Sequence, residues 1–265
     1  MSLFDHLSEL RSRLFKASLS LVIAFALMVS VLYDPIFKIL TQPYCNLPAD
    51  LRGGEATGEC TLITLGVAEP FLLRLRVALI CSVLLAAPFW LYQLWAFITP
   101  GLHAKEKRFA VPFVSCSTLL FALGSVFAYL TLDRGLTFLL SFGGDQITTF
   151  LQADRYLNYV IFVLLAFGFS FQFPLLLVFL ELVGVVDDIK LRRWRRGMIF
   201  GIAVFTALIT PSQDPFTFAA MALPMWFFYE IVVVYSRIRG KARRRRAAEN
   251  PVNAWADDET SPIDV

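Results

Sequence analysis

Charge is missing from long stretches of this 265-residue sequence. Residues 17–33, 77–99, 109–132 and 156–180 contain no Asp, Glu, Lys or Arg over 17, 23, 24 and 25 positions. A helix of about 20 apolar residues is what crosses a hydrocarbon layer of ~30 Å. Charged residues make up only 17% of the chain and hydrophobic residues 57%, with a mean hydropathy of +0.65. Soluble domains hold roughly 25% charged and 45–50% apolar residues, so a water-soluble globular protein is excluded.

Catalytic signatures are missing as well. The sequence has no Walker phosphate loop, no GxSxG, no HExxH and no CxxC. Its two histidines, His6 and His103, have no Cys or carboxylate cluster beside them, which makes a poor metal site. An enzyme is therefore disfavoured, and neither a cofactor nor a metal is expected. Nucleic acid is not an expected partner. No internal repeat is visible, and inverted repeats mark many secondary transporters. A small-molecule transporter or channel is thus the runner-up reading. Residues 1–14 are charged and amphipathic with no small-residue cleavage site after them, so no secretory signal peptide is expected.

Two shorter uncharged runs follow the four long ones, at 197–210 and 215–229, and the second continues apolar past Glu230 to Tyr235. Pro and Asp between them predict a tight turn. The expected fold is an all-α polytopic membrane protein with six spans, at about 17–33, 77–99, 109–132, 156–180, 197–210 and 215–235. The last two would be short and would sit in thinned lipid. The alternative for them is a re-entrant hairpin that does not cross. Lys and Arg give the orientation. With the N-terminus inside, 18 of the 24 basic residues fall in inner segments, so both termini are expected in the cytoplasm. The membrane domain is expected over 1–239. Residues 240–265, basic and then acidic, are expected to be a disordered tail, its basic part against anionic lipid.

Cys45 and Cys60 share the first outer loop, an oxidising setting where a disulfide is expected. Closing a loop of about 15 residues contributes roughly 3 kcal/mol in the chain-entropy model. Two free thiols are the alternative. Cys81 and Cys116 lie in spans and read as packing residues.

Leu3, Leu7, Leu10 and Leu14 fall on one stripe of a helix, with Asp5, Glu9 and Arg13 on another face. This predicts an amphipathic helix on the inner membrane surface. The simplest role for Glu9 is an i,i+4 pair with Arg13. Glu106 is the only acid in a basic inner loop, with Lys105 and Arg108 as local partners.

Several segments together carry a family resemblance. They are HLSELRSRL at 6–14, APFWLYQLWAFITPGL at 87–102 with EKR at 106–108, and GFSFQFP at 168–174. Thr210 with Pro211, LPM at 223–225 and Glu230 complete the set. Over about residues 2–239 the chain resembles TatC, the signal-peptide-receptor subunit of the twin-arginine protein translocase. The resemblance implies a concave, glove-like bundle of six helices in the bacterial cytoplasmic (inner) membrane. It implies export of folded proteins driven by the proton-motive force, with TatA- and TatB-type single-span partners and self-association in a receptor complex.

The resemblance also implies roles for residues. Glu9 and Glu106 would bind the paired arginines of the signal peptide, since a carboxylate accepts a guanidinium fork in two parallel bonds. Phe97 and Leu102 would hold the neighbouring apolar residues. Arg11 and Arg13 would orient the carboxylates or anchor the helix. Many relatives carry a glutamate where this chain has Gln172, so a proton relay there is not implied. Gln172 remains either a polar contact on the concave face or interhelical glue. Thr210 and Phe218 fall where partner subunits make contact. Glu69 and Asp214 match outer acidic positions that cap helices or support a partner. Glu230 is expected to snorkel or to pair with Arg237.

Overall fold

The computed structural model describes residues 3–47, 60, 62–98, 110–142, 151–186, 188–210 and 214–249. Among these the chain is helical and contains no strand, only an isolated bridge between Ile63 and Gln152.

The first span belongs to a much longer rod. Helix α1 (Leu3–Leu27) passes through a π turn (Met28–Leu32) into α2 (Tyr33–Cys45) without a gap. At 1.5 Å per residue the rod is about 64 Å long, more than twice the hydrocarbon thickness. The amphipathic N-terminal stretch is therefore not a separate surface helix. Nothing between Leu3 and Leu32 breaks it, because that stretch has neither Gly nor Pro. Pro35 cannot donate to Val31, and the widened turn just before it absorbs the mismatch. Arg74 braces this turn: Nη2 donates to the Val29 carbonyl at 3.3 Å and the guanidinium lies 4.6 Å from the Tyr33 ring centre.

The second apolar run is bent. Helices α3 (Glu69–Leu85) and α4 (Ala87–Ile98) meet at 56° around Ala86. Pro88 supplies no N–H for the Leu84 carbonyl and its ring crowds it. The Trp90 indole donates to the Val83 carbonyl, which the bend uncovers, at 2.9 Å.

Helix α5 (Ala110–Ser141) crosses α6 (Ala153–Ser170) where two glycines meet aromatic partners. A Cβ on Gly124 would lie 2.7 Å from the Phe167 carbonyl oxygen. One on Gly168 would lie 2.9 Å from the Phe121 ring and from Ser125 Oγ. Small residues allow this approach, which is how helices associate in lipid. Helix α6 is the centre of the bundle, with Tyr156, Leu157, Val160, Ile161 and Phe167 all buried. It stops at Phe171 and Gln172, and α7 (Phe173–Leu182) restarts with Pro174 in its first turn.

After the short α8 (Asp188–Arg193), α9 (Arg195–Ile209) and α10 (Pro215–Glu249) form the last pair. Among the described residues, four helical stretches are long and apolar enough to cross a membrane, and the α3–α4 pair, taken as one bent span, adds a fifth. The sixth segment is α9, whose 15 residues span only about 22 Å. Helix α10 corrects the expected tail. It runs to Glu249, so residues 240–249 are helical, and residues 250–265 lie outside those described. Ala, Lys and Arg are strong helix formers. The extension is also held, because Gly240 packs on Asp188 and Arg244 pairs with it.

Candidate functional site

Two sites take shape from the residues upward. The first lies between the N-terminal part of α1 and α4. Arg13 donates to Glu9 from Nε at 2.9 Å and from Nη2 at 2.5 Å, and both bonds land on Oε1. Both side chains are about one-quarter exposed, so the pair is neither sealed nor fully solvated. Beside it is an apolar recess of about 210 Å³ whose walls include Arg13, Leu14, Trp90, Gln93 and Phe97. The structure thus brings Phe97 next to the Glu9–Arg13 pair. It does not bring Arg11 there. Residues two apart on a helix point about 200° away from each other, and Arg11 lines a different depression with Ser8, Ser12 and Phe15. Glu106 and Leu102 lie outside the described residues.

The second site is a cavity of about 460 Å³ lined by residues of α4, α6, α7, α9 and α10. Trp90, Trp95, Phe169, Phe205 and Met225 make its walls apolar, and Gln172 stands among them. The break between α6 and α7 sets Gln172 in the turn before α7, where its side chain reaches α5. The Ser117 hydroxyl donates to Gln172 Oε1, and Gln172 Nε2 donates to the Ser117 carbonyl at 2.9 Å. The Trp95 indole in turn donates to Ser117 Oγ at 2.8 Å. Three helices are tied by this chain of polar groups inside an apolar surround. Phe113 and Phe179 pack on Trp95 and hold its ring. Both sides of Gln172's amide are used, so it acts as interhelical glue at the edge of the cavity. Sequence reasoning missed Ser117 and Trp95 as its partners. A single Ser in an apolar helix gives no periodic signal, and Trp95 reads as an interfacial belt residue.

The other candidates are also placed. Glu69 Oε2 accepts the backbone N–H groups of Leu65 and Gly66, and Oε1 accepts from Gln152 Nε2 at 2.8 Å. It organises the turn before α3 and ties it to the start of α6. Asp214 Oδ1 accepts the Thr217 N–H at 2.7 Å and caps α10. Thr210 is buried, and its hydroxyl donates back to the Thr206 carbonyl at 2.7 Å. Phe218 is half-buried on α10. Cys45 and Cys60 are joined by a disulfide, while Cys81 and Cys116 are free. Glu230 pairs with Arg195 at 2.8 Å rather than with Arg237, because α9 folds back against α10. A further ion pair that the sequence did not reveal, Arg76 with Asp154, joins α3 to α6.

Helices long enough to cross lipid and a largely apolar cavity between them, with Gln172 and Ser170 among its walls, define a polytopic membrane protein. Comparison with known proteins makes this specific. Residues 5–224 match the family described as "Sec-independent protein translocase protein (TatC)", and the chain belongs to that family. It is a family of translocase components, not of enzymes. A Sec-independent protein translocase protein TatC of Frankia casuarinae is 47% identical over 268 residues, covering 100% of this chain and 73% of the relative. One from Deinococcus radiodurans is 35% identical over 237 residues, covering 89% and 86%. A crystal structure of the twin-arginine translocase receptor TatC in DDM superposes with a TM-score of 0.71 at 34% identity, covering 87% of this chain and 99% of that one.

Proposed function

We propose that this chain receives twin-arginine signal peptides at the cytoplasmic face of the bacterial inner membrane, with both termini inside. Glu9 on α1 and Glu106, in the segment between α4 and α5, supply the carboxylates. Phe97 and Leu102 supply apolar contacts for the residues beside the arginines. TatA- and TatB-type subunits assemble on it, with further copies of this chain, and folded cargo crosses at the expense of the proton-motive force. Thr210 and Phe218 belong to the partner surface. Since the Thr210 hydroxyl caps α9, Phe218 offers the larger contact.

One observation carries this reading: Glu9 already holds a guanidinium beside an apolar recess walled by Phe97. Arg13 occupies one carboxylate oxygen in the way an incoming arginine would occupy the other. This gives Arg13 a positioning role and leaves Arg11, on the other face, to anchor the helix. A lysine cannot reproduce the planar fork.

The test is binding of the purified protein to a peptide with Arg-Arg and to its Lys-Lys twin. Glu9→Gln and Glu106→Gln are each expected to weaken Arg-Arg binding about 10- to 100-fold, the loss of one charge-assisted contact of roughly 1.5–3 kcal/mol. Equal binding of the two peptides would refute the receptor role.

A further inference from the structure

The recess beside the Glu9–Arg13 pair has walls of two kinds. Leu10, Leu14 and Ala17 of α1 and Trp90, Leu94 and Phe97 of α4 are apolar. Two polar side chains line it with them, Arg13 and Gln93. Arg13 is committed to Glu9. Gln93 is half-buried, and its amide joins no hydrogen bond among the described residues.

The local sequence explains why. Helical neighbours lie three and four positions away, and for Gln93 these are Phe89, Trp90, Ala96 and Phe97. Only Trp90 among them carries a side-chain donor, and its indole is taken by the Val83 carbonyl. Across the recess, Leu10, Leu14 and Ala17 offer no polar group. The amide therefore keeps a carbonyl acceptor and two N–H donors for a guest. The recess holds about 210 Å³, the share of about seven waters at ~30 Å³ each. That admits one large apolar side chain and is too narrow for a helix about 10 Å across.

An extended peptide sends consecutive side chains to opposite sides, which lets an arginine reach a carboxylate while a neighbouring residue enters the recess. Such a strand has no sheet partner here. Its N–H and C=O groups are costly to leave unpaired where apolar walls exclude water. We propose that Gln93 is a binding residue of this site, on the reading above that the chain receives twin-arginine peptides. Gln93 Oε1 accepts the backbone N–H, and Nε2 donates to the backbone C=O, of the peptide residue whose side chain fills the recess. A primary amide carries the same donor and acceptor as a peptide unit, whereas a carboxylate only accepts and an ammonium only donates. Gln93 thus holds the main chain of any residue at that place, and the apolar walls choose its side chain. This division of labour is general for extended peptides, whose main-chain bonds give affinity while side-chain pockets give specificity.

The test measures binding of the purified full chain to an Arg-Arg peptide, to its Lys-Lys twin, and to Arg-Arg peptides in which each backbone amide flanking the arginines is replaced in turn by an ester. The ester deletes the N–H and adds no bulk. One ester position is expected to weaken binding to the unaltered protein about three- to tenfold, the worth of a single neutral hydrogen bond. Gln93→Met keeps the length of the side chain and removes the amide. It is expected to weaken the all-amide peptide by at least as much, and the same ester should then cost less than about twofold. Its Tm should match that of the unaltered protein, because the amide has no partner in the fold. Equal binding of the Arg-Arg and Lys-Lys peptides would remove the receptor reading and this proposal with it. A preference for Arg-Arg with no sensitive ester position, with the same ester loss in both proteins, or with full binding by Gln93→Met would leave that reading standing and overturn the role of Gln93. So would a lowered Tm in Gln93→Met, which would assign the amide to the fold.

Discussion

Gln172 and Ser117 hold each other by two hydrogen bonds, one in each direction. Ser117 Oγ–H donates to Gln172 Oε1, and Gln172 Nε2 donates to the Ser117 carbonyl. The hydroxyl has one donor and two lone pairs, and it uses a lone pair to accept from the Trp95 indole. The consequence is a rigid polar knot at the rim of an apolar cavity, built without any charge. A glutamate in the same place would cost roughly 2.5–3.5 kcal/mol if ionised at mid-membrane.

Ser117→Ala is expected to destabilise the protein by about 1–3 kcal/mol for each group it leaves unpaired, here the Trp95 N–H and one lone pair of Gln172. Thermal unfolding followed by tryptophan fluorescence should show a Tm several degrees lower, and Ser117→Cys should recover little of it. Gln172→Glu keeps both bonds only with a protonated carboxyl. It is expected to unfold at lower temperature at pH 8 than at pH 5, whereas the unaltered protein should not show that difference. An unchanged Tm in Ser117→Ala would mean that the knot contributes nothing to stability.

The crossing of α5 and α6 gives a second expectation. Gly124→Ala places a methyl 2.7 Å from a backbone oxygen, and backbone cannot rotate away. Overpacking of this kind costs typically 1–3 kcal/mol. Gly201→Ala is the control. Its Cβ meets nothing within 4 Å, and alanine favours the helix by up to about 1 kcal/mol. The pair should therefore differ in sign: a lower Tm for Gly124→Ala and an equal or higher one for Gly201→Ala.

What the sequence reveals of this molecule follows from how local each signal is. Uncharged runs show where apolar helices pass, because insertion in lipid depends on composition alone. The end of such a helix is another matter. The rod through Leu3–Leu27 and Tyr33–Cys45 outruns its apolar stretch at both ends because backbone hydrogen bonding does not stop where charge begins. The tail was misread for the same reason: a basic stretch suggests disorder by charge, but its Ala and Arg are good helix formers and Arg244 finds Asp188. Partners such as Glu230 and Arg195 depend on how α9 is rotated against α10, which no periodicity records. The candidate site is legible in part. Glu9, Arg13 and Phe97 come together from segments 84 positions apart, whereas Arg11 turns away by helix geometry alone.

The disulfide supports a third expectation. Cys45 ends α2, and Cys60 packs against the central core that α6 fills. Replacing both cysteines by serine is expected to lower stability by roughly 3 kcal/mol, the entropy of a loop of about 15 residues. Without reductant, neither thiol should take up a maleimide label. Labelling of both in the untreated protein would remove the bond.

The last expectation concerns pH. Asp188 is 9% exposed and starts α8. The hydrogen bond from Arg244 holds its carboxyl below the usual carboxylate range. Burial opposes that shift, and the charges of Arg244 and Arg192 add to it. A carboxyl whose folded value lies below its unfolded one stabilises the fold above the unfolded value, near 3.9. That contribution fades as pH falls through the folded value. The latch between α8 and the end of α10 should therefore be intact at neutral pH and open only in strong acid. Asp188→Asn removes the charge at every pH. It is expected to free the C-terminal helix at pH 7, measured as faster proteolysis after the basic residues 241–246. As pH falls through the folded value the stabilities of variant and unaltered protein should converge, because Asp188 loses its charge. Equal proteolysis at pH 7 would mean that Gly240 packing holds the helix without Arg244.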